Sequence, residues 1–182
     1  PERSLMAAQK ALQIQPDSVA ALTHIFWREV EEKNWHNAMN ILERLIPQLV
    51  NLREQKHLFQ RRETGLCYLL ALQVSEVRDK IKWLERALKI DQSHIAARVA
   101  LARLYQKSES TKQMIKIIER GFILKPHQDY IDIFRDIFSD NIGKFIARLT
   151  KLARQSEYKM DANRLVIAAS LDADILPPAT SL

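Results

Sequence analysis

The sequence predicts an all-α protein, built as an α-solenoid of antiparallel helix pairs with about ten helices. Helix-forming residues dominate, and only three glycines occur among the 182 residues, so few glycines are available for tight hairpin turns. The second observation is repetition. The phrase "ALQIQPDSVAAL" at 11–22 returns as "ALKIDQSHIAAR" at 87–98. Repetition over such a distance predicts a chain made of similar structural units.

The repeated phrases follow a period of 34 residues. Ala87 stands 34 positions before Gly121, which opens the related phrase "GFILKPHQDYID". The first two phrases lie 76 positions apart, which is two periods and eight extra residues. In each phrase a small residue stands five positions before a Pro or, in the middle one, Gln92. Small residues let helices pack closely, and Pro stops a helix. We expect the extra residues, around 47–55, to lengthen a helix or form a helical linker.

Apolar residues spaced three and four apart define each helix, and polar residues mark the turns. The predicted helices span 2–13, 19–32, 35–46, 56–73, 76–89, 95–106, 110–124, 128–138, 141–155 and 160–171. The predicted N-caps or turn residues are Asp17, Asn34, Ser75, Ser93, Ser108 and Asp140. We expect one repeat domain over 1–175, followed by a tail or linker at 176–182.

This period and its small-residue positions resemble the tetratricopeptide repeat family. The resemblance implies a right-handed solenoid whose concave groove binds a protein or peptide. Its groove positions on the first helix of each pair correspond here to Thr23, Trp27, Arg62, Leu69, Arg103 and Lys107. Such residues suit a peptide with apolar and acidic features, although incidental surface residues are the alternative.

A narrower resemblance is to the HemY-type repeat proteins of the bacterial inner membrane, which are associated with haem biosynthesis. It is carried by "KNWHNAMNILERL" at 33–45, by the Arg-Arg pair at 61–62 before "GLCYLLAL", and by the Pro-His-x-Asp phrase at 126–129. The resemblance implies membrane helices before Pro1, further repeats after Leu182 and a soluble repeat region, with the cytoplasmic side favoured. Gln92, where that family usually has Pro, departs from the pattern.

No catalytic, cofactor or metal site is predicted. The five histidines lack metal-ligand spacing, and His94 and His127 are expected to be structural, the latter at the start of the next helix. Cys67 lies in an apolar helical run and is expected to be a buried, inert thiol. We therefore expect a non-enzymatic protein-interaction scaffold. A haem- or porphyrin-binding carrier is one alternative, and a nucleic-acid-binding regulator that uses the net charge of +6 is another.

Lys144, Arg148 and Lys151 form one stripe of a predicted helix. We expect either a solvated polar face or a contact with acidic lipid headgroups or an acidic partner. Nucleic acid is not expected to bind this stripe, because no aromatic residues for base stacking are interleaved with it. The oligomeric state stays open.

Overall fold

The computed structural model describes residues 2–49 and 52–173, and these residues contain ten α-helices and no strand. The helices are α1 (Glu2–Ile14), α2 (Val19–Glu31), α3 (Trp35–Gln48), α4 (Arg53–Gln73), α5 (Val77–Ile90), α6 (Ile95–Lys107), α7 (Thr111–Leu124), α8 (Gln128–Ile137), α9 (Ile142–Gln155) and α10 (Lys159–Asp172). The predicted all-α fold is confirmed, and each helix begins and ends within three residues of its predicted bounds. The predicted tail at 176–182 lies outside the described residues.

The chain divides into two compact units between Asp91 and Gln92. In the first unit α2 packs against α3 and α4 against α5, while α1 packs on α2. In the second unit α6 packs against α7 and α9 against α10, while α8 packs on α7. These are antiparallel helix pairs of the predicted kind. The single repeat domain over 1–175 remains a prediction.

The 34-residue period has a structural counterpart at the ends of helices α1, α5 and α7. Ala11, Ala87 and Gly121 each accept a backbone hydrogen bond from the residue four positions later, at 2.8, 2.9 and 2.9 Å. Ala87 and Gly121 are both buried. The three small residues therefore occupy the same place near the C-terminal end of their helices, as the repeated phrases predict.

The turn inside a helix pair is repeated as well. Lys33 after α2 and Glu109 after α6 have φ angles of 59° and 55°, in the left-handed region that residues with a Cβ seldom adopt. The next residue in each turn, Asn34 or Ser110, donates its backbone N–H to the carbonyl five residues back, at 2.8 and 2.9 Å. This is the Schellman pattern of helix termination. Lys33 and Glu109 stand 76 positions apart, the separation of the first two phrases.

The eight extra residues lengthen α4. This helix has 21 residues, whereas α2 and α6, the first helices of the neighbouring pairs, have 13 each. Pro47 lies in the last turn of α3, which continues to Gln48. The longer-helix form of the prediction is therefore confirmed.

Gly121 lies where a side chain has no room. A Cβ at this position would overlap Cδ of Arg98 on α6 and lie 2.7 Å from Cζ of Tyr130 on α8. Arg98 is only 4% exposed, and its guanidinium donates to the carbonyls of Ile117 at 3.0 Å and Gln92 at 2.6 Å. Gly121 therefore packs closely against α6, the first helix of its pair. Tyr130 is a neighbour that the sequence did not predict.

Two histidines cap helices. His94 Nδ1 accepts the backbone N–H of Ala97 at 3.1 Å, and His127 Nδ1 accepts that of Asp129 at 3.3 Å. The structural role predicted for both is confirmed. Of the residues predicted as N-caps or turn residues, Asn34 is the N-cap of α3. The others lie between helices without being N-caps: Asp17, Ser75, Ser93, Ser108 and Asp140.

Candidate functional site

Trp27 on α2 forms the most distinctive part of the predicted groove surface. Its side chain remains 36% exposed. The guanidinium carbon of Arg62 on α4 lies 5.1 Å from the centroid of the Trp27 ring, which is a cation–π contact. Phe26 meets Trp27 edge-on at 5.2 Å, and Phe26 also meets Phe59 of α4 edge-on at 5.6 Å. Contacts from two helices therefore hold an exposed indole in one orientation.

A small pocket lies beside this indole. It encloses about 170 Å³. Its lining is Ser4, Leu5, His24, Trp27, Arg28 and Glu31. A pocket of this size is too small for a typical cofactor and suits one side chain of a bound peptide.

The other predicted groove residues are distributed over both units. Thr23 on α2 and Leu69 on α4 are half-buried, whereas Arg103 and Lys107 are exposed one helical turn apart on α6. The structure brings Trp27 together with Arg62. A single groove lined by all six residues remains a prediction.

The predicted basic stripe lies on α9, where Lys144, Arg148 and Lys151 are all exposed. Arg148 is ion-paired with Glu119 of α7. One member of the stripe therefore already has an acidic partner inside the second unit. The two lysines on either side of it keep the exposure that an acidic ligand would need.

Arg86 on α5 is the centre of a charged cluster that the sequence did not predict. Its guanidinium donates to Glu43 of α3 at 2.7 Å and to Glu63 of α4 at 2.7 and 3.2 Å, and it lies 5.6 Å from the ring centroid of Trp83. Burial would lower the pKa of Arg86, but the hydrogen bonds to Glu63 and Glu43 outweigh it and raise the pKa. The cluster therefore ties α3, α4 and α5 together.

An open cleft of about 750 Å³ adjoins this cluster. It is lined by Gln60, Glu63, Lys82, Glu85, Arg86, Lys89 and Ile90. The charges of both signs along its walls give it no preference for one kind of ion. Nearby, the Cys67 thiol is buried as predicted, and burial raises its pKa to about 12. That the thiol is inert stays a prediction.

A repeated Glu-Arg pair was the signal that could have revealed these contacts. The second helices of three pairs contain "NILERL" at 40–45, "KWLERA" at 82–87 and "KIIERG" at 116–121. Arg44 donates to the Pro16 carbonyl at 2.6 Å, and Arg120 donates to Gln92 Oε1 at 3.4 Å. Both partners stand 28 positions upstream, in the turn that ends the preceding pair. The arginine of the Glu-Arg pair therefore recurs with the repeat, and in both cases it binds the turn that precedes the first helix of its own pair.

Across residues 2–49 and 52–173, no three His, Cys, Asp or Glu side chains come close enough together to hold a metal ion. The predicted lack of catalysis stays a prediction. None of the helices in these ranges is both long enough and apolar enough to cross a lipid bilayer.

Comparison with known proteins gives distant similarities. No protein-family model matches the chain. It is 23% identical over 173 residues to Superkiller protein 3 of Saccharomyces cerevisiae, a match that covers 90% of this chain but only 12% of that protein's length.

Two solved structures are also similar. One is MamA, at 15% identity, 93% coverage of this chain, 86% of the other and a TM-score of 0.36. The other is TTC0263, a tetratricopeptide repeat protein of Thermus thermophilus, at 12% identity, 93% and 90% coverage and a TM-score of 0.35. The helix pairs of this chain and their 34-residue period make its fold tetratricopeptide-like.

Proposed function

We propose that this chain is a non-catalytic protein-binding module, and that a peptide segment of its partner binds across Trp27 and Arg62. The observation that carries the proposal is the exposed indole of Trp27, held by Arg62 and Phe26. Trp and Arg are the residue types that most often dominate binding energy at protein interfaces. A ring already fixed in place loses little further freedom when a partner binds.

The surroundings of Trp27 indicate the chemistry of the peptide. The pocket beside it has room for one apolar side chain against Leu5 and the indole. Arg62 is exposed and gives a neighbouring carboxylate a guanidinium to pair with. We therefore propose a peptide that carries an apolar anchor next to an acidic residue.

Selection from a displayed random-peptide library tests this proposal. Selected peptides are then titrated against wild type, Trp27→Ala and Arg62→Ala. We expect Trp27→Ala to weaken binding by roughly ten-fold or more, which corresponds to about 1.4 kcal/mol. Trp83→Ala is the matched control, because Trp83 also lies beneath an arginine. The affinity of this variant for the selected peptides should stay near that of wild type. Equal weakening by both variants, or an enrichment of peptides that ignore Trp27, would contradict the proposal.

The HemY-type assignment is a narrower proposal that rests on the sequence phrases alone. It would make this chain the soluble part of a bacterial inner-membrane scaffold that gathers enzymes of porphyrin synthesis. Affinity purification of the protein from its source tests it, with Trp27→Ala as the control. Porphyrin-pathway enzymes should be enriched by wild type and lost from the variant. Recovery of unrelated proteins alone would reject this assignment.

A haem titration separates this scaffold from the porphyrin-carrier alternative. His127 Nδ1 is engaged by the Asp129 N–H as a helix cap, so we expect no saturable change in the haem absorption band. Stoichiometric binding that His127→Ala abolishes would favour the carrier instead.

A further inference from the structure

The second unit carries a basic surface that is separate from the Trp27 surface of the first unit. Its helices α7 and α9 run side by side in the same direction. The ion pair between Glu119 and Arg148 joins their middles, and Ser156 Oγ just beyond α9 donates to the Ile123 carbonyl near the end of α7, at 2.9 Å. Four exposed lysines flank this ion pair, and we call them the lysine face: Lys112, Lys116, Lys144 and Lys151.

The lysine face is not neutralised by the protein itself. Within the part of the chain that the structure describes, none of its four ammonium groups has an ion-pair or hydrogen-bond partner. Helix α9 contains no acidic residue, and the carboxylate of Glu119 on α7 is taken by Arg148. In the first unit the corresponding residue to Lys116 is Lys82, which pairs with Asp79 at 3.0 Å. At this position of the repeat, therefore, the lysine is paired in the first unit and unpaired in the second.

We propose that the lysine face binds an acidic polypeptide segment of a partner protein. Lys112 and Lys116 stand about one helical turn apart on α7, and Lys144 and Lys151 about two turns apart on α9, where an ideal turn rises roughly 5.4 Å. Each ammonium is a compact charge on a flexible stem, so it can reach a separate carboxylate of a glutamate- or aspartate-rich segment. Charge complementarity of this kind speeds association and makes it sensitive to salt.

Two features favour a polypeptide over other polyanions. The Glu119 carboxylate lies between the rows of lysines and would face a continuous phosphate backbone, whereas the separate carboxylates of a peptide can avoid it. The aromatic residues of α7 and α9, Phe122 and Phe145, are buried, so they give bases nothing to stack on. Membrane insertion would need large exposed apolar residues among the lysines. On α7 and α9 the exposed large apolar residue is Ile142, which lies at the start of α9 and not between the lysines.

The test measures fluorescence anisotropy of a labelled poly-glutamate peptide at low salt and then at rising salt. The variant is Lys116→Glu combined with Lys144→Glu. The matched control is Lys10→Glu combined with Arg53→Glu, which makes the same charge change on exposed residues of the first unit. Oligouridine and phosphatidylserine vesicles serve as competing probes. A second pair, Lys116→Gln with Lys144→Gln, guards against misfolding caused by charge reversal.

We expect the double reversal to weaken peptide binding by about ten-fold and the glutamine pair by a smaller factor in the same direction. The control pair should stay within about two-fold of wild type. The proposal is overturned if the control weakens binding as much as the variant, or if the peptide does not bind. Tighter binding of oligouridine or vesicles than of the peptide also overturns it. Because these variants leave Trp27 untouched, this result is independent of the peptide selection above.

Discussion

Helices α5 and α7 contain the same repeated phrase but meet different neighbours. On α5, Arg86 lies between Glu43 and Glu63, and Lys82 pairs with Asp79. On α7 the corresponding Arg120 reaches only the amide oxygen of Gln92, at 3.4 Å. The acidic residue of that phrase, Glu119, pairs with Arg148 of α9.

This difference shows how a repeat can keep its architecture while changing its surface. The buried positions of the phrase carry Leu84 and Ala87 on α5 and Ile118 and Gly121 on α7, so helix packing is maintained. The exposed positions differ in their partners. On α5 of the first unit, Lys82 and Arg86 pair with carboxylates of that unit. On α7 of the second unit, Lys112 and Lys116 have no such partner among the described residues. One repeated scaffold therefore presents two kinds of surface.

The largest expected effect comes from the position that Ala87 and Gly121 share. Gly121→Leu should lower the free energy of unfolding by about 3 kcal/mol, because the new side chain would collide with Arg98 and Tyr130. Even Gly121→Ala should destabilise, although Ala exceeds Gly in helix propensity by about 0.8–1 kcal/mol. Urea denaturation measures both.

Gly65 provides the matched control for that experiment. A Cβ added there meets nothing within 4 Å, and the residue lies inside α4. Gly65→Ala should therefore gain up to about 1 kcal/mol from helix propensity alone. If Gly121→Ala gained as much as Gly65→Ala, the crowding at Gly121 and the assigned repeat phase would both be wrong.

The arginines of the repeated phrase give the next largest effect. Arg86→Met should cost about 1–2 kcal/mol, because it leaves two neighbouring carboxylates, one of them half-buried, without their cation. Arg120→Met at the same repeat position should cost less than about 0.5 kcal/mol, because its contact with Gln92 is long and exposed. Chemical denaturation of both variants compares them. Equal losses would remove the distinction between the two units.

Alkaline pH should destabilise the fold through one buried titratable group in each unit, Cys67 in the first and Tyr130 in the second. Burial raises the pKa of Cys67 from 9.0 to about 12 and that of Tyr130 from 10.0 to about 12. The folded state thus favours the neutral forms. The stability that each neutral group contributes is fully present below the pKa that the group has in the unfolded chain. It is lost as the pH rises from about 9 for Cys67, or about 10 for Tyr130, towards about 12.

Denaturation at successive pH values tests this expectation. Relative to Cys67→Val, wild type should lose about 1 kcal/mol or more from pH 9 upwards, and relative to Tyr130→Phe it should begin to fall only near pH 10. The Tyr130 hydroxyl is buried without a hydrogen-bond partner among the described residues, so its removal at neutral pH should cost little. If the free energy of unfolding changed with pH in the same way for wild type and both variants, neither group would have the raised pKa described here.

The smallest effect concerns the repeated left-handed turns. Lys33→Gly and Glu109→Gly should each stabilise the fold by roughly 0.5–1 kcal/mol, because glycine adopts positive φ without strain. Thermal melting measures both, and Arg103→Gly inside α6 should be destabilising as the control. A gain at one turn with a loss at the other would contradict their equivalence.

Local pattern was enough to predict most of the fold. Helix-forming composition and a repeated phrase determine where helices lie and how far apart equivalent residues stand, so the ten helices and the small-residue positions were predictable. The same register put Trp27 and Arg62 among the predicted groove residues, and the two side chains are in contact. These features depend on residues close together in the chain or separated by a whole period.

The contacts that sequence reasoning missed join residues separated by other distances. In the sequence Arg98 has no feature that separates it from the exposed polar residues of α6. It is nevertheless buried, because backbone carbonyls of two other segments accept hydrogen bonds from its guanidinium. The sequence places Arg148 in a basic stripe and indicates no acidic partner for it, whereas in the fold Glu119 of α7 forms an ion pair with it. Such pairings depend on how neighbouring helices are rotated against each other, which periodicity does not specify.

Two-dimensional nitrogen–hydrogen NMR of the labelled protein tests most directly whether the two units present different binding surfaces. A library-selected peptide should shift the indole N–H signal of Trp27 and leave the backbone signals of Lys116 and Lys144 in place. Poly-glutamate should do the reverse at low salt. If both ligands shift the same set of signals, the chain has one binding surface and the account is wrong.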